Sequence, residues 1–142
     1  LLPLATILGS WLGAVVAYLI MNIDLTSVLQ HRSLNDCLAL NSGFAYYSLS
    51  SIFITEYRGA ELGTIALLAN IIREMTTLLL TPLLAKWFGP LAPISTGGAT
   101  TMDTTLPIIT QTIGQRYVSL SIYHGFVTDF SVPFLVTMWC ML

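Results

Sequence analysis

Polar positions divide an otherwise apolar chain into five hydrophobic segments, residues 1–23, 34–55, 62–88, 91–113 and 117–142. About 20 apolar residues are enough to cross the hydrocarbon core of a bilayer, and each segment reaches that length. The connections between them are short. Residues 24–33 form a polar, partly amphipathic link, and Glu56-Tyr57-Arg58-Gly59 reads as a turn. Gly89-Pro90 stops the third segment by helix-breaking chemistry, and Gly114-Gln115-Arg116 separates the last two. No link is long enough to carry a second domain. The pattern predicts an all-α polytopic membrane protein forming one transmembrane unit over residues 1–142.

Two of the five segments make poor continuous helices. The second contains Asn41-Ser42-Gly43-Phe44-Ala45-Tyr46-Tyr47-Ser48-Leu49-Ser50-Ser51, dense in Gly, Ser and Tyr. The fourth contains Gly97-Gly98, then Thr100, Thr101, Asp103, Thr104, Thr105 and Pro107. Its glycines loosen a helix, and its hydroxyls compete for the helical backbone bonds. Both segments are therefore expected to be discontinuous or re-entrant, around Gly43 and around Gly97-Gly98. Interrupted backbone inside lipid must be satisfied by protein or water, and a pair of interrupted segments points to the solute site of a secondary transporter. Small residues at simple helix–helix contacts are the competing explanation for the glycines. An aspartate inside the same run favours the site.

Composition agrees with the membrane reading. Hydrophobic residues make up 55% of the chain, mean hydropathy is +0.79, and the 8% of charged residues would not coat a soluble domain of 142 residues. The first segment has neither the basic start nor the cleavage site of a secretory signal, and the chain begins on Leu, as an internal fragment would. A net charge of −2 and five scattered basic residues exclude a basic nucleic-acid face. Cys37 and Cys140 lack the spacing of a disulfide or zinc pair, so neither a metal site nor a cofactor is expected.

Charge at membrane depth is the most informative remaining feature. Asn70, Arg73 and Glu74 sit mid-way along the third segment, where an ionisable group costs about 3 kcal/mol and usually faces a bundle interior or a wet cavity. Asn70, Glu74, Thr77 and Thr81 recur on one helix face, which should point inward. Arg73 lies about 100° around the helix from Glu74, so it is expected to reach Asp103, Asp129 or a solute instead. Asp103, beside broken helix ends, suits a cation ligand or proton carrier. His124 belongs to a polar stripe with Ser121, Thr128 and Ser131 and suits either proton relay or helix-to-helix hydrogen bonding. Tyr46 or Tyr47 could wall an aliphatic ammonium. Ser48, Thr100, Thr101 and Thr104 supply hydroxyls at the two interruptions. Trp87 and Trp139 read as interfacial anchors. Ser and Thr are plentiful, but no His-Asp or Lys partner stands at the spacing of covalent catalysis, so the chain does not read as an enzyme.

The runs Ser42–Ser50 and Thr55-Glu56, the helix Asn70-Ile71-Ile72-Arg73-Glu74, the loop 98–107, and His124-Gly125-Phe126 with Val132-Pro133 together resemble the C-terminal half of the bacterial lysine exporter LysO family. The resemblance is strong from Asn41 onward and weaker over the first segment. It implies a multi-pass inner-membrane exporter of L-lysine and its analogues, with Glu74 and Asp103 as the intramembrane acids that matter. Asp129 departs from the pattern, which is usually apolar there. The family's exporters are about twice this length, so an N-terminal-half region or subunit is the expected partner, with a dimer as a further arrangement. The expected mechanism is exchange of lysine, or a related basic amino acid, for a coupling cation, protons first. Glu74, Asp103, Arg73, Asn70, Tyr46, Tyr47, Ser48, Thr100, Thr101, Thr104 and His124 form the expected substrate and proton site. The rival readings are an inorganic cation/proton antiporter and a membrane assembly subunit that transports nothing.

Overall fold

The computed structural model describes residues 1–24 and 33–142, so most of the polar link 24–33 lies outside the described residues. Seven α-helices follow in order: α1 (Leu2–Asp24), α2 (Leu34–Asn41), α3 (Tyr47–Arg58), α4 (Ala60–Phe88), α5 (Ala92–Gly97), α6 (Leu106–Ile113) and α7 (Val118–Met141). Short 3-10 turns occupy Gly98–Met102 and Gln115–Tyr117. The described chain contains no strand, and two helices, Leu2–Ile20 within α1 and the whole of α4, are long and apolar enough to cross a bilayer.

Both segments expected to be interrupted are interrupted. The second segment splits into α2 and α3 around residues 42–46, and the fourth splits into α5 and α6 around residues 98–105. The predicted turn at residues 56–59 is narrower than expected. Helix α3 runs on through Arg58, and Gly59 alone reverses the chain into α4. Helices α4 and α7 each pack against both broken segments, while α1 closes the assembly against α2, α5 and α7.

The burial pattern is that of a protein whose solvent is lipid. The core is small and compact, with Phe44, Ile54, Leu62, Ala66, Val132 and Val136 all nearly or fully buried. On α7, Phe126, Phe130 and Phe134 form a stripe at four-residue spacing that is 63–64% exposed. A soluble domain would leave such an aromatic ridge in water, whereas hydrocarbon accepts it. The buried positions of α4 are Asn70, Thr77 and Thr81 among small apolar neighbours, and Glu74 on the same face is half-buried. The polar stripe of the third segment therefore does point inward. So does that of α7, where Ser121, His124 and Thr128 are fully buried.

Pro82 and Pro133 interrupt neither α4 nor α7. Each removes one helical donor, so Pro133 cannot serve the carbonyl of Asp129 four residues earlier. Trp139 is not an interfacial anchor. It stands edge-on to Trp11, with ring centroids 5.3 Å apart, and packs on the core, while Trp87 is exposed as expected.

Candidate functional site

The two interruptions cross each other. The amide of Ala99 donates to the carbonyl of Phe44 at 2.9 Å, joining the break in the second segment directly to the break in the fourth. Both backbones take unusual paths to meet. Phe44 and Ala45 adopt positive φ, 45° and 70°, where non-glycine residues are uncommon, and Gly98 has φ 60° and ψ −127°. Phe44 is fully buried at the crossing, with the guanidinium of Arg73 5.5 Å from its ring centre.

Asn70 stitches the first break to α4. Its carbonyl oxygen accepts from the Ala45 amide at 2.9 Å, and its amide nitrogen donates to the Ser50 hydroxyl at 3.2 Å and to the Ala66 carbonyl at 2.9 Å. Gly43 allows this approach, because a Cβ there would land on the Asn70 side chain. Trp11 adds a bond from α1 to the Ser42 hydroxyl at 2.9 Å, and Asn41 donates to the Ser10 carbonyl at 2.8 Å. Replacing Asn70 by Leu should strand the Ala45 amide in an apolar setting. The expected loss of stability is about 1–3 kcal/mol for that one orphaned group, read as a lower melting temperature in detergent, and an unchanged melting temperature would remove Asn70 from this role.

His124 and Thr101 stitch the second break to α7 and α1. His124 is fully buried, with Nε2 2.9 Å from the Thr6 hydroxyl and Nδ1 3.3 Å from the Thr101 hydroxyl. Thr101 also faces the carbonyls of Gly98 and Ser121, and the Ser121 hydroxyl donates to the Thr101 carbonyl at 2.8 Å. These contacts satisfy backbone that has left the helical ladder, which is the condition for irregular chain at membrane depth.

Among the described residues, two cavities flank the crossing. One, of about 140 Å³, is lined by Tyr46, Ala99, Thr100, Met102, Asp103 and Asp129. Apart from Asp129 on α7, its walls come from chain at or beyond the two crossing points. The other is an open groove of about 580 Å³ between α1, α4 and α5, with Asn41, Arg73, Ser95 and Thr96 among its walls. Its contributions from the broken segments come from chain that precedes the breaks. The crossing thus separates a doubly acidic cavity from a groove holding one arginine.

The first cavity collects three of the eleven site residues the sequence offered. Tyr46, Thr100 and Asp103 line it together, and Asp129 joins them from α7. Asp103 is exposed at its mouth and accepts from the Thr104 amide, whereas Asp129 is half-buried. The amide groups opening α3 have no side-chain cap, nor have those opening α6. Uncapped helix N-termini carry partial positive charge. Tyr47, Ser48 and Thr104 are exposed, and Thr101, Asn70 and His124 are bound up in the stitching described above. Arg73 does not reach either aspartate. Its Nε donates to the Thr96 carbonyl at 2.9 Å and its Nη2 to the Ser95 carbonyl at 3.3 Å, at the C-terminal end of α5. Glu74 lines neither cavity.

A family model described as "Lysine exporter LysO" matches residues 1–140, nearly the whole chain. The chain belongs to the LysO lysine-exporter family. Among relatives, it is 32% identical over 136 residues to the lysine exporter LysO of Escherichia coli (strain K12), covering 96% of this chain and 42% of that protein. It is 34% identical over 129 residues to a putative lysine exporter of Haemophilus influenzae (strain ATCC 51907 / DSM 11121 / KW20 / Rd), covering 91% of this chain and 61% of that protein. The chain therefore spans less than two thirds of the length of either relative. No solved structure matches it.

Proposed function

We propose that this chain forms the solute-binding half of a secondary exporter of L-lysine and related basic amino acids in the bacterial inner membrane, completed by an N-terminal-half region or subunit. The observation that carries the reading is the crossing of two broken helices in a member of a lysine-exporter family, with two carboxylates converging on one side of it. A cavity with Asp103 and Asp129 in its walls suits an ammonium group. Tyr46 offers an aromatic face to the aliphatic stem, and the Thr100 hydroxyl offers an acceptor.

The same chemistry supports coupling to protons. A carboxylate that binds an ammonium group must be ionised, and a protonated one cannot hold it, so lysine and protons compete for these acids. Glu74, half-buried one turn from Asn70, is assigned the coupling proton that is exchanged as the site turns over. Counterflow of labelled lysine into vesicles carrying the assembled transporter should be robust, should weaken as pH falls, and should release protons on lysine binding. Glu74→Gln should keep lysine binding and lose the proton-coupled flux. Flux of inorganic cations without lysine would replace this reading with that of a cation antiporter, and no flux of either kind would leave an assembly subunit.

A further inference from the structure

The open groove between α1, α4 and α5 takes no part in the ammonium site, and its chemistry is the opposite. We propose that it recognises the carboxylate of the amino-acid solute, with Arg73 as the anchor. This inference rests on the amino-acid reading above and adds the group that separates an amino acid from a plain diamine.

Three observations carry it. First, the guanidinium has five N–H donors, and the carbonyls of Thr96 and Ser95 take Nε and one position on Nη2. These bonds fix the plane of the group and leave its Nη1 edge for another acceptor. Second, the cation has no neutralising partner among the described residues. No carboxylate there forms an ion pair with it, and no acid lines the groove. The partial negative charge at the end of α5 offsets only part of a full charge held at membrane depth. Third, the groove has the capacity for a solute of this size. About 580 Å³ falls within the usual range for small-molecule sites, and its other polar walls, Thr6, Ser10, Asn41, Ser95 and Thr96, are neutral. A planar guanidinium with one edge open matches a carboxylate through two parallel bonds, a fit that a lysine side chain would not reproduce.

The groove and the acidic cavity then each read one charged group of the same class of molecule, met in turn on the two sides of the crossing. Asp103 and Asp129 test for an ammonium group, and Arg73 tests for a carboxylate. Arg73 also repels a bare cation that would otherwise follow the acidic side through.

The test compares L-lysine with 1,5-diaminopentane, which keeps both ammonium groups and lacks the carboxylate, by calorimetry on the assembled transporter in vesicles of neutral phospholipid. The wild-type protein should prefer lysine by about ten- to a hundredfold, the factor that a charge-assisted pair of bonds supplies. The preference should collapse in Arg73→Gln and survive in part in Arg73→Lys. Equal affinity for the two ligands in the wild-type protein overturns the proposal without any variant having to fold. A phosphate of a lipid headgroup offers Arg73 similar chemistry, so the measurement is repeated with anionic phospholipid. Stabilisation by anionic lipid that needs Arg73, together with no lysine preference, assigns the groove to lipid and overturns the proposal. Lysine counterflow that persists alongside equal ligand affinities leaves the export reading standing and removes only this inference, whereas absence of any lysine binding removes both.

Discussion

Asp103→Asn is expected to reduce lysine efflux about a hundredfold or more while leaving insertion and expression intact. The substitution removes a charge with little change in volume, at a residue that stands exposed at the mouth of the acidic cavity and bears no core packing. An ammonium seated in the cavity would cover the Asp103 carboxylate, and truncating one member of a charge pair covered in this way costs about 2–5 kcal/mol, with each 1.4 kcal/mol a factor of ten. The comparison with Asp129→Asn sharpens the test. Asp129 lines the same cavity from α7 and is the better buried of the two, so it should also contribute, but a single remaining carboxylate at either position should not restore full flux. Efflux at the wild-type rate in Asp103→Asn, measured as loss of labelled lysine from preloaded vesicles, would remove the cavity from the mechanism.

Gly98→Ala is expected to destroy the crossing itself. A Cβ at residue 98 would land on the carbonyl oxygen of Phe44 and lie 3.0 Å from its carbon, so the bond from Ala99 to that carbonyl could not form as it does. The backbone there, at φ 60° and ψ −127°, is glycine territory, and a side chain adds about 1–3 kcal/mol of strain. Clash and strain act on the same atoms and disrupt the contact that joins the two broken segments. A large fall in melting temperature, or failure to recover folded protein, is the expected result. Gly9→Ala and Gly13→Ala serve as controls, because nothing lies within 4 Å of a Cβ at either position. If Gly98→Ala melts like those controls, the crossing is not what holds the two segments in place.

The positions of the interruptions were legible in the sequence, because Gly43 and Gly97-Gly98 stand among hydroxyl residues inside apolar runs and few other local arrangements use such a combination. The path through the first break was not. Phe44 and Ala45 carry the positive φ values there, and nothing about phenylalanine or alanine announces a left-handed backbone; the conformation is imposed by Asn70 and by the partner strand of chain at Ala99. The inward face of α4 followed from spacing alone, whereas the partners of its polar groups did not. Arg73 was expected to reach an aspartate or a solute; it reaches neither aspartate and closes the end of α5, because helix-terminal carbonyls are invisible to a reading that pairs charges with charges. Asp129 stood out in the sequence as a candidate partner for Arg73 and as a departure from a family pattern. Its place beside Asp103 depends on how α7 packs on the second break, a long-range contact that spacing along the chain does not encode. His124 fits both of its expected uses in sequence, and its bonds to Thr6 and Thr101 favour the connecting one.

The bond between Ala99 and Phe44 also bears on how the protein enters the membrane. Helices that satisfy their own backbones can be released into lipid one at a time as they are synthesised, but a broken segment cannot, since its open amides and carbonyls find no partners in hydrocarbon. Within residues 42–46, the Ala45 amide and the Phe44 carbonyl obtain theirs from Asn70 on α4 and from Ala99 beyond it. During synthesis the second segment must therefore wait, in water or against the insertion machinery, until two later segments have emerged. Insertion of α2 through α6 is therefore expected to be concerted, and a chain truncated after α4 should be degraded rather than left in the bilayer.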